Sequence, residues 1–170
     1  MSAHLVHGRA RLLGDDINTD YLISSSRKKE SLDPFVLSRY LLEDLDPEFA
    51  ASVRPGDILV AGRNFGCGSA MEVAVTVLLG AGIGTVIAKS FSRTYWRNAI
   101  NNGLLVVVAD TSGLAEGEPL ALCLSGSRPE LHAGAEPARR ISCAPVSGFV
   151  LALRKGGGLV PFLRQHRSLA

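Results

Sequence analysis

Paired cysteine, excess charge of one sign and long apolar runs are all missing from this sequence, and each absence narrows what the chain can be. Cysteine occurs three times, at Cys67, Cys123 and Cys143, an odd number spread far apart without a Cys-x-x-Cys pair. That argues against a disulfide framework or a self-contained metal site and points to a reducing, cytoplasmic setting. The 18 Lys and Arg stand against 16 Asp and Glu, leaving a net charge of +2, so the electrostatic footprint of a nucleic-acid binder is missing. The apolar runs are too short to cross a bilayer, and Met1-Ser2-Ala3-His4 does not begin a charged-then-apolar leader, so neither export nor membrane anchoring is expected. With 46% hydrophobic residues in a 170-residue chain, one compact domain over residues 1–170 is the expectation.

The periodicities read as an α/β chain. Leu5–Leu13 alternates like a strand, and Gly14-Asp15-Asp16-Ile17-Asn18-Thr19-Asp20 follows as a polar loop of turn-formers. Between Ser31 and Phe49 the spacing of Phe35, Leu37, Leu41, Leu42 and Leu45, with Asp33-Pro34 as a start signal, predicts one or two short helices. Ile58–Gly62 is a short apolar strand running into a Gly-rich loop, and Ala70–Leu78 fits a largely buried helix beyond it. Thr85–Ala88 makes a further strand, Arg93–Asn102 a helix closing at Gly103, and Leu104–Ala109 a strand covered on both faces. Three shorter strands are expected in an antiparallel addition, at Pro119–Leu124, Arg139–Cys143 and Gly148–Leu153, before a terminal helix from Leu159 to Arg167.

The loop Asn64-Phe65-Gly66-Cys67-Gly68-Ser69 carries the chemistry. Glycines at 66 and 68 admit positive φ and let a ligand approach main-chain N–H groups without a Cβ in the way. If the loop enters a helix at Ser69, the first N–H groups and the helix dipole favour negative charge there, whether carboxylate, phosphate or serine oxyanion. Other readings stand beside this one. Ser69 and Glu72 also make a capping-box pattern that needs no chemistry. A dinucleotide fingerprint is disfavoured by Met71 in place of a third glycine and by a following strand that ends at Lys89. Cys67 beside a helix start is a candidate thiolate nucleophile, although His4, His7, His132 and His166 are all distant in sequence.

Asn64-Phe65-Gly66-Cys67-Gly68-Ser69, then Glu72, Ser90-Phe91 and Asn101-Asn102-Gly103-Leu104-Leu105, resembles the small subunit of isopropylmalate isomerase and the swivelling C-terminal domain of aconitases. The likeness extends to Gly14–Asp20 and to Gly157-Gly158-Leu159-Val160-Pro161-Phe162-Leu163, nearly the whole chain. It implies a swivelling β/β/α domain, and a separate large subunit whose own cysteines carry a 4Fe-4S cluster, with no cofactor or metal on this chain. It also implies a hydro-lyase that removes water from a hydroxy acid, the reaction either stopping at dehydration or re-adding the water with the positions exchanged. Iron polarises the hydroxyl, and a serine oxyanion at the position of Ser69 takes the carbon-bound proton. Gly66, Cys67 and Gly68 would then bind substrate, and Asp20 would pair with a histidine of the large subunit to manage the proton of the departing hydroxyl. Read from its residue type alone, Asp20 is better taken as an Asx-type turn residue.

The chain departs from the family after Ser69. Where the family usually reads Gly-Ser-Ser-Arg-Glu-His, this sequence reads Gly68-Ser69-Ala70-Met71-Glu72-Val73. The family Arg grips a substrate carboxylate, and Met supplies neither charge nor a fork of donors. Arg27, within Ser24-Ser25-Ser26-Arg27-Lys28-Lys29, and Arg63 are candidate replacement cations, the alternative for each being a solvated surface charge. The expected substrate is therefore a hydroxy acid such as isopropylmalate or a related, non-standard one, the latter used in a side pathway rather than leucine synthesis. The competing expectations are a non-catalytic carboxylate-binding or regulatory module that keeps the fold and partner surface, and a stand-alone enzyme built on Cys67.

Overall fold

The computed structural model describes residues 5–126, 128–135 and 138–166. Strand β1 (Leu5–Leu12) leads into three short helices, α1 (Thr19–Leu22), α2 (Ser25–Glu30) and α3 (Pro34–Leu37), the last continued by a 3-10 turn at Ser38–Tyr40. After α4 (Phe49–Ser52) come β2 (Ile58–Ala61), α5 (Val73–Gly80), β3 (Thr85–Ala88), α6 (Arg93–Asn101) and β4 (Leu105–Val108). The final third holds β5 (Pro119–Cys123), β6 (Glu130–Ala133), β7 (Arg139–Ser142), α7 (Gly148–Lys155) and α8 (Leu159–His166).

The seven strands make one sheet in the order β4-β3-β2-β1-β5-β6-β7. Strands β1 to β4 run parallel, whereas β5, β6 and β7 are each antiparallel to the neighbour before them in that order. The sheet curls until its edges meet. Ala109, just past β4, bridges Cys143, just past β7, and the Ala144 N–H donates to the Val108 carbonyl at 2.8 Å. An edge strand that would otherwise offer unpaired backbone groups is thereby closed off.

Strand pleat divides the core in two. Ile58, Val60, Ile87, Leu105 and Val107 point to the concave side and cluster with Leu120, Leu122 and Leu131. Leu59, Ala61, Val86, Ala88 and Val106 point the other way, against Ala74, Val77 and Leu78 of α5 and Tyr95 and Ala99 of α6. Both faces are covered, which is why the parallel strands read as unbroken apolar runs.

The expected mixed α/β architecture is present, with four local corrections. Gly148–Leu153 is helical, not a strand: the Ser147 hydroxyl accepts from the Val150 N–H at 3.3 Å, and α7 buries Leu153 while leaving Phe149 exposed, an amphipathic arrangement hidden in an all-apolar run. The third antiparallel strand is instead β6, where buried Leu131 and Ala133 alternate with Glu130 and His132. Ser25–Glu30 forms a helix although it carries no apolar residue. The helix expected from Ala70 starts only at Val73. Arg167, expected in the terminal helix, and Met1–His4 lie outside the described residues.

Candidate active site

Because β1, β2 and β3 are parallel, the loops after them emerge from one end of the sheet, where open α/β sheets place their ligands. The three loops continue the ladder. From the β1 side, Ile17 accepts from the Gly66 N–H at 2.8 Å, the Thr19 N–H donates to the Cys67 carbonyl at 2.8 Å, and Asn18 forms a parallel bridge with Cys67. From the β3 side, the Phe65 N–H donates to Ser90 at 3.0 Å and the Ser92 N–H donates back to Phe65 at 2.9 Å. The Ser92 hydroxyl donates to the Gly66 carbonyl at 2.7 Å, and the Ser90 hydroxyl accepts from the Asn64 N–H at 2.8 Å. The Gly-rich segment is a central strand of backbone fixed from both sides.

That geometry gives the glycines a structural role. Gly66 and Gly68 have φ of +78° and +95°, but the space a Cβ would take is filled by the protein: by the Tyr95 ring beside Gly66 and by the Asn18 amide beside Gly68. Tyr95 is fully buried, donates its hydroxyl to the Ala74 carbonyl at 3.1 Å, and is pushed well above its ordinary pKa by that burial. The glycines are needed to admit the neighbouring loops.

The helix-start reading of Ser69 is corrected as well. The first α5 bonds run from the Ala74 N–H to Met71 and from the Val75 N–H to Glu72, and neither Ser69 nor Glu72 caps the helix through its side chain. The left-handed turn at Gly68 and the ties to residues 17–19 hold the chain away from helical geometry until Glu72. Ser69 therefore stands on an exposed bend before the helix. Its carbonyl accepts from the hydroxyl of buried Thr19 at 3.0 Å and from the Met71 N–H at 2.9 Å. Among the described residues no protein acceptor serves the N–H groups of Gly68, Ser69 and Ala70. Three successive main-chain donors at an exposed serine are thus left without a protein acceptor among the described residues.

Asp20 sits in the first turn of α1, half-buried beside Thr19, so the β1 and β2 loops bring it to the Ser69 side of the sheet. The Asx-type cap there is Asn18, whose Oδ1 accepts from the Asp20 N–H at 2.9 Å; the Asp20 carboxylate accepts from the Ser25 hydroxyl at 3.2 Å. Cys67 is half-buried and a free thiol. Arg27 is engaged elsewhere: Glu43 accepts from it at 2.8 Å and 3.0 Å, Glu30 lies at 3.4 Å, and its guanidinium stacks 3.9 Å above the Tyr40 ring. Glu43, followed by Glu30, raises its pKa beyond the ordinary arginine value. Arg63 is exposed and lies 3.3 Å from Asp15, whose carboxylate is held below its ordinary range first by the Arg63 backbone N–H at 2.7 Å. Lys28, by contrast, reaches from α2 to the sulfur of Met71.

Asn18, Thr19, Ser25 and Lys28 are the contacts that sequence reasoning missed. The polar loop and the Ser-Lys run were visible signals, but their pairing with residues 67–71 joins segments far apart in the chain. Among the described residues no three His, Cys, Asp or Glu side chains cluster as a metal site, and no helix is long and apolar enough to cross a membrane.

Sheet topology and loop arrangement place the chain among aconitase-type swivelling domains, and the aconitase C-terminal domain family matches residues 42–112. The chain belongs, more narrowly, to the family of 3-isopropylmalate dehydratase small subunits. It is 39% identical to 3-isopropylmalate dehydratase small subunit 2 of Archaeoglobus fulgidus over 95% of this chain and 96% of that one. It is 35% identical to the methanogen homoaconitase small subunit of Methanocaldococcus jannaschii over 97% and 95%. A solved 3-isopropylmalate dehydratase structure from M. jannaschii superposes with a TM-score of 0.88 at 36% identity, covering 96% of this chain and 95% of the other.

Proposed function

We propose that this chain is the small subunit of a cytoplasmic two-subunit hydro-lyase, that residues 1–170 form one swivelling domain, and that Ser69 is its base. The observation that carries the reading is the presentation of Ser69: an exposed residue on a backbone fixed from both sides, with three N–H donors unclaimed among the described residues. A serine is a weak base unless its oxyanion is stabilised, and each preorganised donor aimed at developing charge is worth about 3 kcal/mol. Ser69 as the oxyanion takes the proton from the carbon next to a substrate carboxylate, and the electron pair left behind forms the double bond as the hydroxyl departs. Asp20, oriented by the Ser25 hydroxyl and paired with a histidine of the large subunit, directs the proton that leaves with that hydroxyl. A 4Fe-4S cluster on the large subunit supplies Lewis acidity toward the substrate hydroxyl when bound.

The substrate we favour is a hydroxy acid related to isopropylmalate but not identical to it, because Met71 and Val73 stand in the segment that follows the base. In a complex with the large subunit, hydration of substituted maleates should be measurable, and Ser69→Ala should lower kcat by at least about a hundredfold. Full activity of Ser69→Ala would sink the assignment. The uncharged Met71 also supports a second reading, a carboxylate-binding module without turnover. Tight carboxylate binding by a complex that dehydrates no hydroxy acid would favour it.

A further inference from the structure

We propose that the cavity between the end of β5 and the last turn of α7 is a binding site for a small branched aliphatic carboxylate, with Arg154 holding the carboxylate. The cavity measures about 300 Å³, and its described lining is Leu124, Leu151, Arg154 and Lys155: two apolar side chains, two cations and no acid. Leu151, Arg154 and Lys155 stand at i, i+3 and i+4 on α7, so they share one helix face across from Leu124. Leu124 belongs to the apolar cluster on the concave side of the sheet, and Leu151 packs against that cluster. The apolar wall is therefore part of the core itself.

Arg154 carries the inference. Four arginines among the described residues are not exposed: Arg9, Arg11, Arg27 and Arg154. Carboxylates hold three of them, Asp57 taking Arg9 and Arg11, and Glu43 taking Arg27. Arg154 has no such partner among the described residues, and burial alone acts on its guanidinium, lowering its pKa. A part-buried charge without a partner is costly, and the planar fork of arginine fits a carboxylate with two parallel hydrogen bonds. Nor is Arg154 needed to finish the helix. The carbonyls of Ala152, Leu153 and Arg154 accept from the N–H groups of Gly156, Gly158 and Gly157 at 2.9, 2.8 and 3.1 Å. Exposed Lys155 adds positive potential at the mouth, and the two leucines receive the alkyl part. The volume is at the lower end of ligand cavities, which suits an acid of about four to six carbons.

This cavity is separate from the Gly-rich loop. Cys123, the residue before Leu124, pairs with Leu5 at the start of β1, whereas the Gly-rich loop lies beyond the opposite end of the sheet. The length of β1, roughly 25 Å by the strand rise, stands between them. The inference thus goes beyond the hydro-lyase reading and does not depend on it.

The test titrates isovalerate into the full chain by calorimetry. One saturable site per chain is expected. Arg154→Met should weaken isovalerate by about tenfold, Arg154→Lys should recover part of that loss, and Arg164→Met, which removes equal charge from an exposed position on α8, should change affinity by less than about twofold. Isovaleramide, without the charge, and acetate, without the branched chain, should each bind the unaltered chain at least about tenfold more weakly. Ser69→Ala should leave isovalerate affinity unchanged. No saturable binding by the parent overturns the inference, as does equal affinity for isovaleramide or acetate. So does affinity unchanged in an Arg154→Met protein that unfolds at the parent's temperature. A loss in Ser69→Ala that Arg154→Met does not share would assign the carboxylate to the Gly-rich loop and overturn it as well.

Discussion

The hydroxyl of Thr19 donates to the main-chain oxygen of Ser69 across 3.0 Å, joining residues 50 positions apart in the chain. Thr19 is 1% exposed and its own N–H is bound to the Cys67 carbonyl, so it grips the loop at two points while Ser69 itself stays accessible. Thr19 is thus a positioning residue: it sets where the Ser69 hydroxyl sits without touching substrate. Thr19→Val keeps the shape and removes the donor. The expected result is a kcat about tenfold lower with KM little altered, restored by Thr19→Ser, since small displacements of a reacting group are costly. Steady-state kinetics of both variants in the two-subunit complex check this, and equal loss in both would point to packing rather than the hydroxyl.

Cys67 lies in the same loop, and a nucleophilic role would need a base. The described histidines are all occupied or remote: His132 bonds Glu130 at 3.1 Å, and His166 bonds the Phe162 carbonyl at 3.0 Å. His7 is five residues before the end of β1, roughly 17 Å from the site by the strand rise. Cys67→Ser should therefore retain kcat within about twofold, measured alongside Ser69→Ala. A collapse of activity in Cys67→Ser with Ser69→Ala still active would reverse the two assignments.

The parallel strands were legible in the sequence because both their faces are buried, which leaves the continuous runs around Val60, Ile87 and Val106 as a signal. The loop that carries Ser69 was legible through its resemblance to the family; taken alone, its residues left a helix-capping reading open. Its surroundings were not. The helix offset to Val73 depends on bonds between residues 17–19 and 66–69, and no local propensity encodes a pairing of that separation. Helix α2 was hidden for the opposite reason: it has no apolar face, and Arg27 joins it to Glu43 and Tyr40 through tertiary contacts. Gly148–Lys155 misled because Phe149, Val150, Leu151 and Leu153 satisfy strand and helix patterns alike, and the Ser147 cap decides between them.

The glycine positions make a stability prediction that separates folding from chemistry. An alanine at Gly66 would have to adopt φ near +78° and would set its Cβ against the ring of Tyr95, which is fully buried and tied to Ala74. Strain and overlap together should cost about 2–4 kcal/mol. Gly14→Ala, where a Cβ meets nothing within 4 Å, should stay within about 0.5 kcal/mol of the parent. Thermal or urea unfolding of the two variants measures the difference, and equal stabilities would show that Tyr95 gives way readily.

Acid stability should depend on Asp57, a buried carboxylate beneath β1 at the end of the sheet opposite the site. Burial alone would push its carboxyl up, but Arg9 at 2.7 Å, the Arg54 N–H at 2.9 Å and Arg11 at 3.4 Å outweigh that and hold it below its ordinary value. A carboxyl whose folded pKa is lowered contributes stability in full above its unfolded pKa of about 4, and loses that contribution as pH falls through the folded value. Asp57→Asn leaves the part-exposed Arg9 without its carboxylate while buried Arg11 keeps Glu116 at 2.7 Å, and should cost about 1–3 kcal/mol at neutral pH. The gap between parent and variant should then narrow as pH drops below about 4, because the parent carboxylate is protonated while the amide does not titrate. Unfolding curves for both proteins between neutral pH and pH 3 check the sign. A gap that stays constant over that range would mean that Asp57 acts through its shape and hydrogen bonds and not through its charge.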